Sequence, residues 1–180
     1  NVAILFGRKN SKSIKNKNII KILSKKMFMY PIDAAKKVKY ITKIYVSSDS
    51  DYILNHSKKK GCIPIKRPKY LCNDKALHEE AIQHAVNYCQ NLNQNKIKNF
   101  VILLCNSICV RTKDIEKGFK ILNSSKKIDT VTTVSKFNNF SPVRAKKIKG
   151  KKLLNYIPNK ELKRFTPLSC DRDKSVHSYY

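Results

Sequence analysis

Short apolar runs alternate with longer segments of helical periodicity along this chain. Residues 2–6 form a continuous apolar run that a polar loop follows at once, a pattern typical of a strand buried on both faces of a parallel sheet. Residues 27–38 carry apolar side chains at helical spacing, and residues 44–46 form a second β-rich run that ends in two serines and an aspartate. The chain therefore opens with a predicted strand–helix–strand unit.

The same alternation continues as far as residue 134. Gly61 interrupts one helical pattern, and Pro68 closes the short strand run that follows it. The further elements predicted are a helix over 51–60, a strand over 62–65, a helix over 76–92, a strand over 100–104, a helix over 114–122 and a strand over 130–134. Strands that alternate with helices predict an α/β fold, with a mostly parallel sheet and helices on both faces. Such sheets bind ligands at the carboxyl ends of their strands.

The pattern changes after residue 135. Residues 136–180 are basic and punctuated by prolines, and their apolar positions follow no clean period. We therefore predict an α/β core over residues 1–135 and a small extension over 136–180, an arm that folds over a site or packs on a second subunit. Because the chain begins with asparagine rather than methionine, we expect it to be a fragment of a longer protein.

Composition narrows the class of protein. A chain of 180 residues with 41% hydrophobic residues suits one domain with a real core. No apolar run approaches the roughly 20 residues of a membrane-spanning helix, and no signal-peptide pattern opens the chain, so we expect a cytoplasmic protein with no membrane partner. The six cysteines lie in apolar or helical stretches, which favours buried free thiols over disulfides or a zinc site.

The net charge of +27 raises the possibility of a nucleic-acid partner, since a basic surface releases counterions from a phosphate backbone. However, lysine far outnumbers arginine and is spread over the whole sequence. Neither interleaved aromatic residues nor a nucleic-acid-binding module is evident. The charge therefore predicts attraction to anionic substrates such as a triphosphate. The even spread of the lysines and the lack of a binding module argue against nucleic acid.

A strongly cationic loop, residues 7–18, follows the first predicted strand, with four lysines and one arginine. Nucleotidyl transfer needs such charge, because attack at the α-phosphorus builds negative charge on its oxygens and on the departing pyrophosphate. Arg8 can offer a bidentate fork, Lys12 and Lys17 point charges, and Ser11 with backbone N–H groups a cradle. The loop lacks the glycine spacing of a P-loop or a dinucleotide fingerprint, and a merely solvated lysine-rich loop remains the alternative.

The order Arg8, Ser11, Lys12, Lys17, Asn18 after an apolar strand resembles the opening motif of the acylneuraminate cytidylyltransferases, the CMP-sialic acid synthetases, including their bacterial legionaminic and pseudaminic acid relatives. The resemblance implies a Rossmann-like nucleotidyltransferase fold of the nucleotide-diphospho-sugar transferase type, with residues 1–135 as its nucleotide-binding core. It also implies nucleotide contacts for all five residues, with Arg8, Lys12 and Lys17 acting in catalysis.

Further matches follow in the same order along the chain. Residues 44–49 resemble the family's second strand, and residues 66–68 resemble its cytidine-side Arg-Pro element. The resemblance implies that Arg67 and Asp74 contact the nucleotide. A surface ion pair for Arg67 and a helix cap for Asp74 remain alternatives. The segment 105–111 departs from the family's Gln-Pro-Thr-Ser-Pro-Leu-Arg type of run, so the part that faces the sugar is altered. Candidate sugar-binding residues are Cys105, Asn106, Ser107, Arg144 and Arg164.

The implied reaction couples a sialic-acid-like 2-keto-3-deoxy sugar acid, a nonulosonic acid, to CMP from CTP and releases pyrophosphate. The resemblance also implies a homodimer and Mg²⁺, but the family's C-terminal part, with its Asp-x-Asp metal ligands, lies outside this chain, so no metal ligand is assigned. Asp171 and Asp173 have similar spacing but fall in the arm. Two alternatives are kept: a CMP-Kdo-type synthetase of the same fold, and a non-enzymatic basic protein that binds nucleic acid.

Overall fold

The computed structural model describes residues 1–9, 14–73, 76–94, 96–133 and 146–156. The chain divides into two compact units, Asn1–Val131 and Thr132–Tyr180, near the predicted division after residue 135. The described strands and α-helices, in chain order, are β1 (Val2–Gly7), β2 (Lys21–Ile22), β3 (Lys25–Lys26), α1 (Met29–Lys36), β4 (Lys43–Ser48), α2 (Asp51–Lys59), β5 (Ile63–Lys66), α3 (His78–Leu92), β6 (Phe100–Leu104), α4 (Thr112–Leu122), β7 (Lys146–Lys149) and β8 (Lys152–Asn155).

The first unit is built on a four-stranded sheet in the order β5–β4–β1–β6, and every neighbouring pair is parallel. The predicted α/β fold with a parallel sheet is confirmed. The chain moves outward from β1 to β4 and β5, then returns to the other side of β1 to form β6. This reversal places a topological switch point between β1 and β6, and open α/β sheets bind ligands beyond the carboxyl ends of the strands at such a point.

Helices cover both faces of this sheet. One face packs on α1, α2 and α4 through a cluster that includes Leu5, Ile32 and Phe119. The other face packs on α3 through a cluster that includes Ile4 and Ala85. Every residue of β1 is buried, because successive side chains of a strand alternate between the two faces. The continuous apolar run at the start of the chain is thereby explained.

Two local features differ from the sequence-based predictions. The predicted helix 27–38 spans only Met29–Lys36, and the antiparallel hairpin β2–β3 precedes it. The strand predicted over 130–134 is wrong for its described part, since residues 130–133 form no strand. Thr130, Thr132 and Thr133 are exposed there, and β-branched residues favour a strand only where a partner strand and a packing surface are available.

The described part of the second unit is the antiparallel hairpin β7–β8, in which Ile148 lies opposite Leu153. Ile148, Leu153 and Leu154 are all exposed, and a two-stranded hairpin by itself is marginally stable in water. Across the described residues of both units, no helix is long and apolar enough to cross a membrane.

Candidate functional site

Gly7 ends β1 at the switch point, in close contact with the chain that follows β6. A Cβ on residue 7 would lie 2.6 Å from the Cys105 sulfur and 3.3 Å from the side-chain nitrogen of Asn18. The buried Asn18 amide donates to the backbone oxygen of Arg8 at 2.8 Å, and the Asn18 carbonyl accepts from the Phe28 amide at 3.1 Å. Asn18 therefore fixes the chain direction at Arg8, where the cationic loop begins.

A second tie joins this loop to the end of β4. The backbone N–H of Lys9 donates to the Asp49 carboxylate at 2.6 Å. Asp49 follows Ser48, whose hydroxyl accepts from the Ser50 amide at 3.0 Å. The Ser50 hydroxyl in turn accepts from Ile53 in the first turn of α2. Ser50 is thus the N-cap of α2, which leaves the Asp49 carboxylate to hold the loop after β1 at the carboxyl edge of the sheet.

Arg67 follows β5 and is nearly fully buried, with 5% of its surface exposed. Its Nη2 donates to the Ser47 carbonyl at 3.0 Å and its Nε to the Ser47 hydroxyl at 3.3 Å, while its Cζ lies 5.8 Å from the centre of the Phe6 ring. Burial lowers the pKa of the guanidinium. The side chain is buried and held by Ser47, so the surface ion pair considered for it is wrong. The charge of nearby Asp49 favours the ionised form of the guanidinium.

Arg8 reaches from the loop after β1 to the loop that precedes α3. Its Nη1 donates to the Asn73 carbonyl at 3.2 Å. The Asn73 side chain bridges that loop, because it donates to the Tyr70 carbonyl at 2.8 Å and accepts from the Ala76 amide at 2.9 Å. Arg8 and Arg67 therefore stand at the same edge of the sheet, close enough that the positive charge of Arg8 lowers the pKa of the Arg67 guanidinium.

His78 belongs to this site, although the sequence reasoning did not select it. It begins α3, and its ring meets the edge of the Phe6 ring at a centroid distance of 5.3 Å and an interplanar angle of 82°. Burial lowers the pKa of His78, Arg67 and Arg8 lower it further, and Glu79 opposes them. The sequence feature that could have indicated His78 is its position at the start of the longest predicted helix, directly after a loop at the carboxyl edge of the sheet.

Of the remaining candidate residues, Lys17 lies in the described part of the first loop. Lys17 begins a short 3₁₀ turn, Lys17–Ile19, and is half-buried, so its role stays a prediction. The candidates that lie outside the described residues are Ser11, Lys12, Asp74, Arg144 and Arg164.

The candidate sugar-binding residues after β6 differ in accessibility. Cys105 is fully buried, and burial raises the pKa of its thiol to about 12. Its side chain presents no surface to a ligand, so the geometry does not support the predicted sugar contact and gives Cys105 a packing role against Gly7. Asn106 is exposed and Ser107 half-buried, so these two remain candidates.

The described residues do not fit a magnesium site by themselves. Among them no group of three or more His, Cys, Asp or Glu side chains is placed to hold a metal ion. Asp49 is a carboxylate at the strand ends, but it accepts the Lys9 amide, whereas Mg²⁺ demands near-octahedral oxygen ligands. The chemistry that these residues support directly is the binding of an anion by guanidinium groups.

The chain belongs to the cytidylyltransferase family, whose model, described as Cytidylyltransferase, matches residues 2–152. It is 34% identical over 148 residues to the Pseudaminic acid cytidylyltransferase and UDP-2,4-diacetamido-2,4,6-trideoxy-beta-L-altropyranose hydrolase of Helicobacter pylori, covering 80% of this chain and 27% of that protein. It is 33% identical to the Pseudaminic acid cytidylyltransferase of Campylobacter jejuni, covering 65% of this chain and 50% of that protein. The family resemblance drawn from the cationic loop is confirmed.

More distant relatives agree. The N-acylneuraminate cytidylyltransferase of Escherichia coli is 27% identical, over 79% of this chain and 33% of its own length. Among solved structures, a CMP:2-keto-3-deoxy-manno-octonic acid synthetase complexed with CTP matches with a TM-score of 0.56 at 13% identity, over 70% of this chain and 48% of that one. That likeness shows the nucleotidyltransferase fold. The chain spans between about a quarter and half of the length of the curated relatives named here.

Proposed function

We propose that this chain is the CTP-binding part of an enzyme that activates a sialic-acid-like sugar acid as its CMP conjugate. The anomeric hydroxyl oxygen of a 2-keto-3-deoxy sugar acid attacks the α-phosphorus of CTP, a new P–O bond forms, and the bond to pyrophosphate breaks. The hydroxyl proton leaves to a base that the described residues do not identify. The observation that carries the proposal is the pair Arg8 and Arg67 at the carboxyl edge of the sheet, in a chain of the cytidylyltransferase family.

Electrostatic stabilisation is the role proposed for the cationic residues. The guanidinium of Arg67 is held in place by Ser47 and would contact the cytidine side of the nucleotide. Arg8, Lys12 and Lys17 would surround the triphosphate from the loop after β1, with Ser11 and the backbone completing the cradle. A preorganised donor of this kind contributes about 3 kcal/mol to the transition state. Loss of one such donor would then slow turnover by about a hundredfold or more.

Magnesium remains part of the proposal as the ion that would neutralise charge on the phosphates. The described residues do not supply its ligands, so we derive no step through it. The nucleotide's own phosphates and carboxylates from the longer protein are the ligands that the family resemblance implies.

The acceptor and the assembly follow from the same proposal. Relatives named for pseudaminic acid support a nonulosonic acid as the second substrate, and Asn106 and Ser107 after β6 are the described residues proposed to face it. Arg144 and Arg164 would meet its carboxylate. We propose a homodimer formed through the 136–180 arm, whose hairpin exposes Ile148 and Leu153, and a cytoplasmic location, where CTP is available.

Pyrophosphate release by the complete protein tests this function. The assay supplies CTP, ATP, GTP or UTP with Mg²⁺ and one sugar acid at a time: pseudaminic, legionaminic, N-acetylneuraminic or Kdo acid. We expect turnover that requires CTP and a nonulosonic acid. Turnover with Kdo alone would establish the CMP-Kdo alternative. Turnover with none, together with RNA or DNA binding that falls steeply with salt, would contradict the enzyme and favour the nucleic-acid alternative.

A further inference from the structure

His78 and Arg67 flank one aromatic ring at the carboxyl edge of the sheet. The Phe6 ring lies next to the end of β1, with the His78 ring against its edge at 5.3 Å and the Arg67 Cζ at 5.8 Å from its centre. Arg8 begins the loop that leaves the same strand two positions later. His78 is an exposed residue at the start of α3, and the charges of Arg67 and Arg8 both act on its imidazole, so a ligand at this edge of the sheet can reach it.

The surroundings of His78 disfavour its charged form in the free protein. Burial of the ring against the protein is the largest cause, and the positive charges of Arg67 and Arg8 add to it. From its own helix Glu79 acts in the opposite direction, and the other carboxylate of that turn, Glu80, accepts the Leu77 amide at 3.0 Å. The imidazole is therefore neutral near pH 7, with a pKa below its usual value.

We propose that His78 is a nucleotide-binding residue, whose imidazole takes up a proton from solvent when the triphosphate binds and donates an N–H bond to one of its anionic oxygens. This inference rests on the proposed function. A bound triphosphate brings several negative charges next to Arg8, so the repulsion that kept His78 neutral becomes a net attraction for the imidazolium. Protonation of the His78 imidazole, which is unfavourable in the free protein, thereby becomes favourable in the complex.

Proton uptake is the consequence that a structural role would not produce. The affinity for CTP should rise as the pH falls, because binding is coupled to protonation of an imidazole whose pKa in the free protein is lowered by burial and by the neighbouring arginines. His78→Gln keeps an N–H donor but cannot titrate. It should bind CTP about tenfold more weakly than the native protein at pH 6 and nearly equally at pH 8, as expected when one charge-assisted hydrogen bond is lost.

Isothermal titration calorimetry of CTP at pH 6.5, in two buffers of different ionisation enthalpy, measures the protons taken up on binding. The γ-phosphate of CTP contributes equally to each protein, so the native protein should take up roughly half a proton more than His78→Gln, in keeping with a histidine pKa raised through this pH. His56→Gln is the matched control. His56 stacks on Tyr52 in α2 and should leave the uptake at the native value.

The outcomes separate this inference from the proposed function. If the native protein does not bind CTP, the proposed function fails. If it binds CTP and His78→Gln takes up as many protons as the native protein, the inference about His78 is overturned. Should the variant fold poorly, the pH titration of the His78 imidazole by NMR in the native protein decides. CTP should raise its pKa by about one unit or more, and an unchanged pKa overturns the inference.

Discussion

Gly7 and Cys105 are in contact across the switch point of the sheet, so that a Cβ on Gly7 would lie 2.6 Å from the Cys105 sulfur and 2.8 Å from its Cβ. Cys105 is fully buried in the core, so an added methyl group on residue 7 would press on packed side chains. Arg8, the first cationic residue of the loop, directly follows Gly7, so this contact sets where the loop leaves the sheet.

Gly7→Ala should therefore lower the free energy of unfolding by about 1–3 kcal/mol, the usual cost of an extra methyl group in a packed site. Gly118→Ala is the control, because Gly118 lies inside α4 and a Cβ there meets nothing within 4 Å. That change should stabilise the protein by about 0.5–1 kcal/mol. Urea unfolding measures both, and equal effects of the two substitutions would contradict the contact.

Ser24 adopts a left-handed backbone conformation in the turn of the hairpin β2–β3, with φ of 66°, after Leu23 with φ of 46°. A side chain in this region costs roughly 1–2 kcal/mol, so Ser24→Gly should raise the free energy of unfolding by about 1 kcal/mol. Gly61 provides the reverse test, since it has φ of 76° and a Cβ there meets nothing within 4 Å. Gly61→Ala should destabilise by a similar amount. A loss of stability in Ser24→Gly would contradict the turn geometry.

Asp49 holds the loop after β1 through the Lys9 amide. Asp49→Ala removes this acceptor and should weaken CTP binding by about tenfold, consistent with one hydrogen bond to a charged group. Asp49→Asn keeps an acceptor oxygen and removes a negative charge near the phosphates, so it should bind CTP at least as well as the native protein. Calorimetric titration gives both affinities. Equal losses in the two variants would mean that the charge of Asp49, rather than its acceptor, is needed.

Buried thiols should make the protein sensitive to alkali. Burial raises the pKa of Cys62 to about 11 and the pKa values of Cys89 and Cys105 to about 12, from an ordinary value of 9.0. The unfolded chain therefore loses these protons first, and the free energy of unfolding falls as the pH rises from about 9 to 12. Urea unfolding at pH 8, 9 and 10 measures the slope.

Substitutions of single cysteines test whether the buried thiols cause this loss of stability at alkaline pH. Cys89→Ala should lower stability at pH 8, because it leaves a cavity under α3, but should make the decline above pH 9 shallower. Cys109→Ala is the control, since Cys109 is exposed and should leave the decline unchanged. A slope that is the same in Cys89→Ala as in the native protein would argue against the thiol account.

The sequence predicted the features that depend on local pattern. The apolar run of β1 predicted burial on both faces, and the order of basic residues after it predicted the family. The features that it missed depend on contacts between distant parts of the chain. Residues 130–133 have strand propensity but no partner strand, and the pairing of Arg67 with Ser47 joins two separate strand ends.

His78 and Cys105 show the same limit within the site. Nothing in the pattern around His78 indicates that its ring would meet Phe6, a contact made across the sheet edge. Cys105 opens the segment that the family resemblance places opposite the sugar, yet its side chain is buried against Gly7. Position at a strand end predicts that a residue lies near the site, but the direction of its side chain depends on tertiary packing.

The central claim is that the cationic edge of the sheet holds the triphosphate of CTP. Binding of CTP and of cytidine to the native protein and to Arg8→Gln tests it most directly, with the exposed Lys59→Gln as a control for net charge. We expect the preference for CTP over cytidine to fall by about tenfold or more in Arg8→Gln, with the affinity for cytidine unchanged and Lys59→Gln close to native. An unchanged preference in Arg8→Gln would contradict the account.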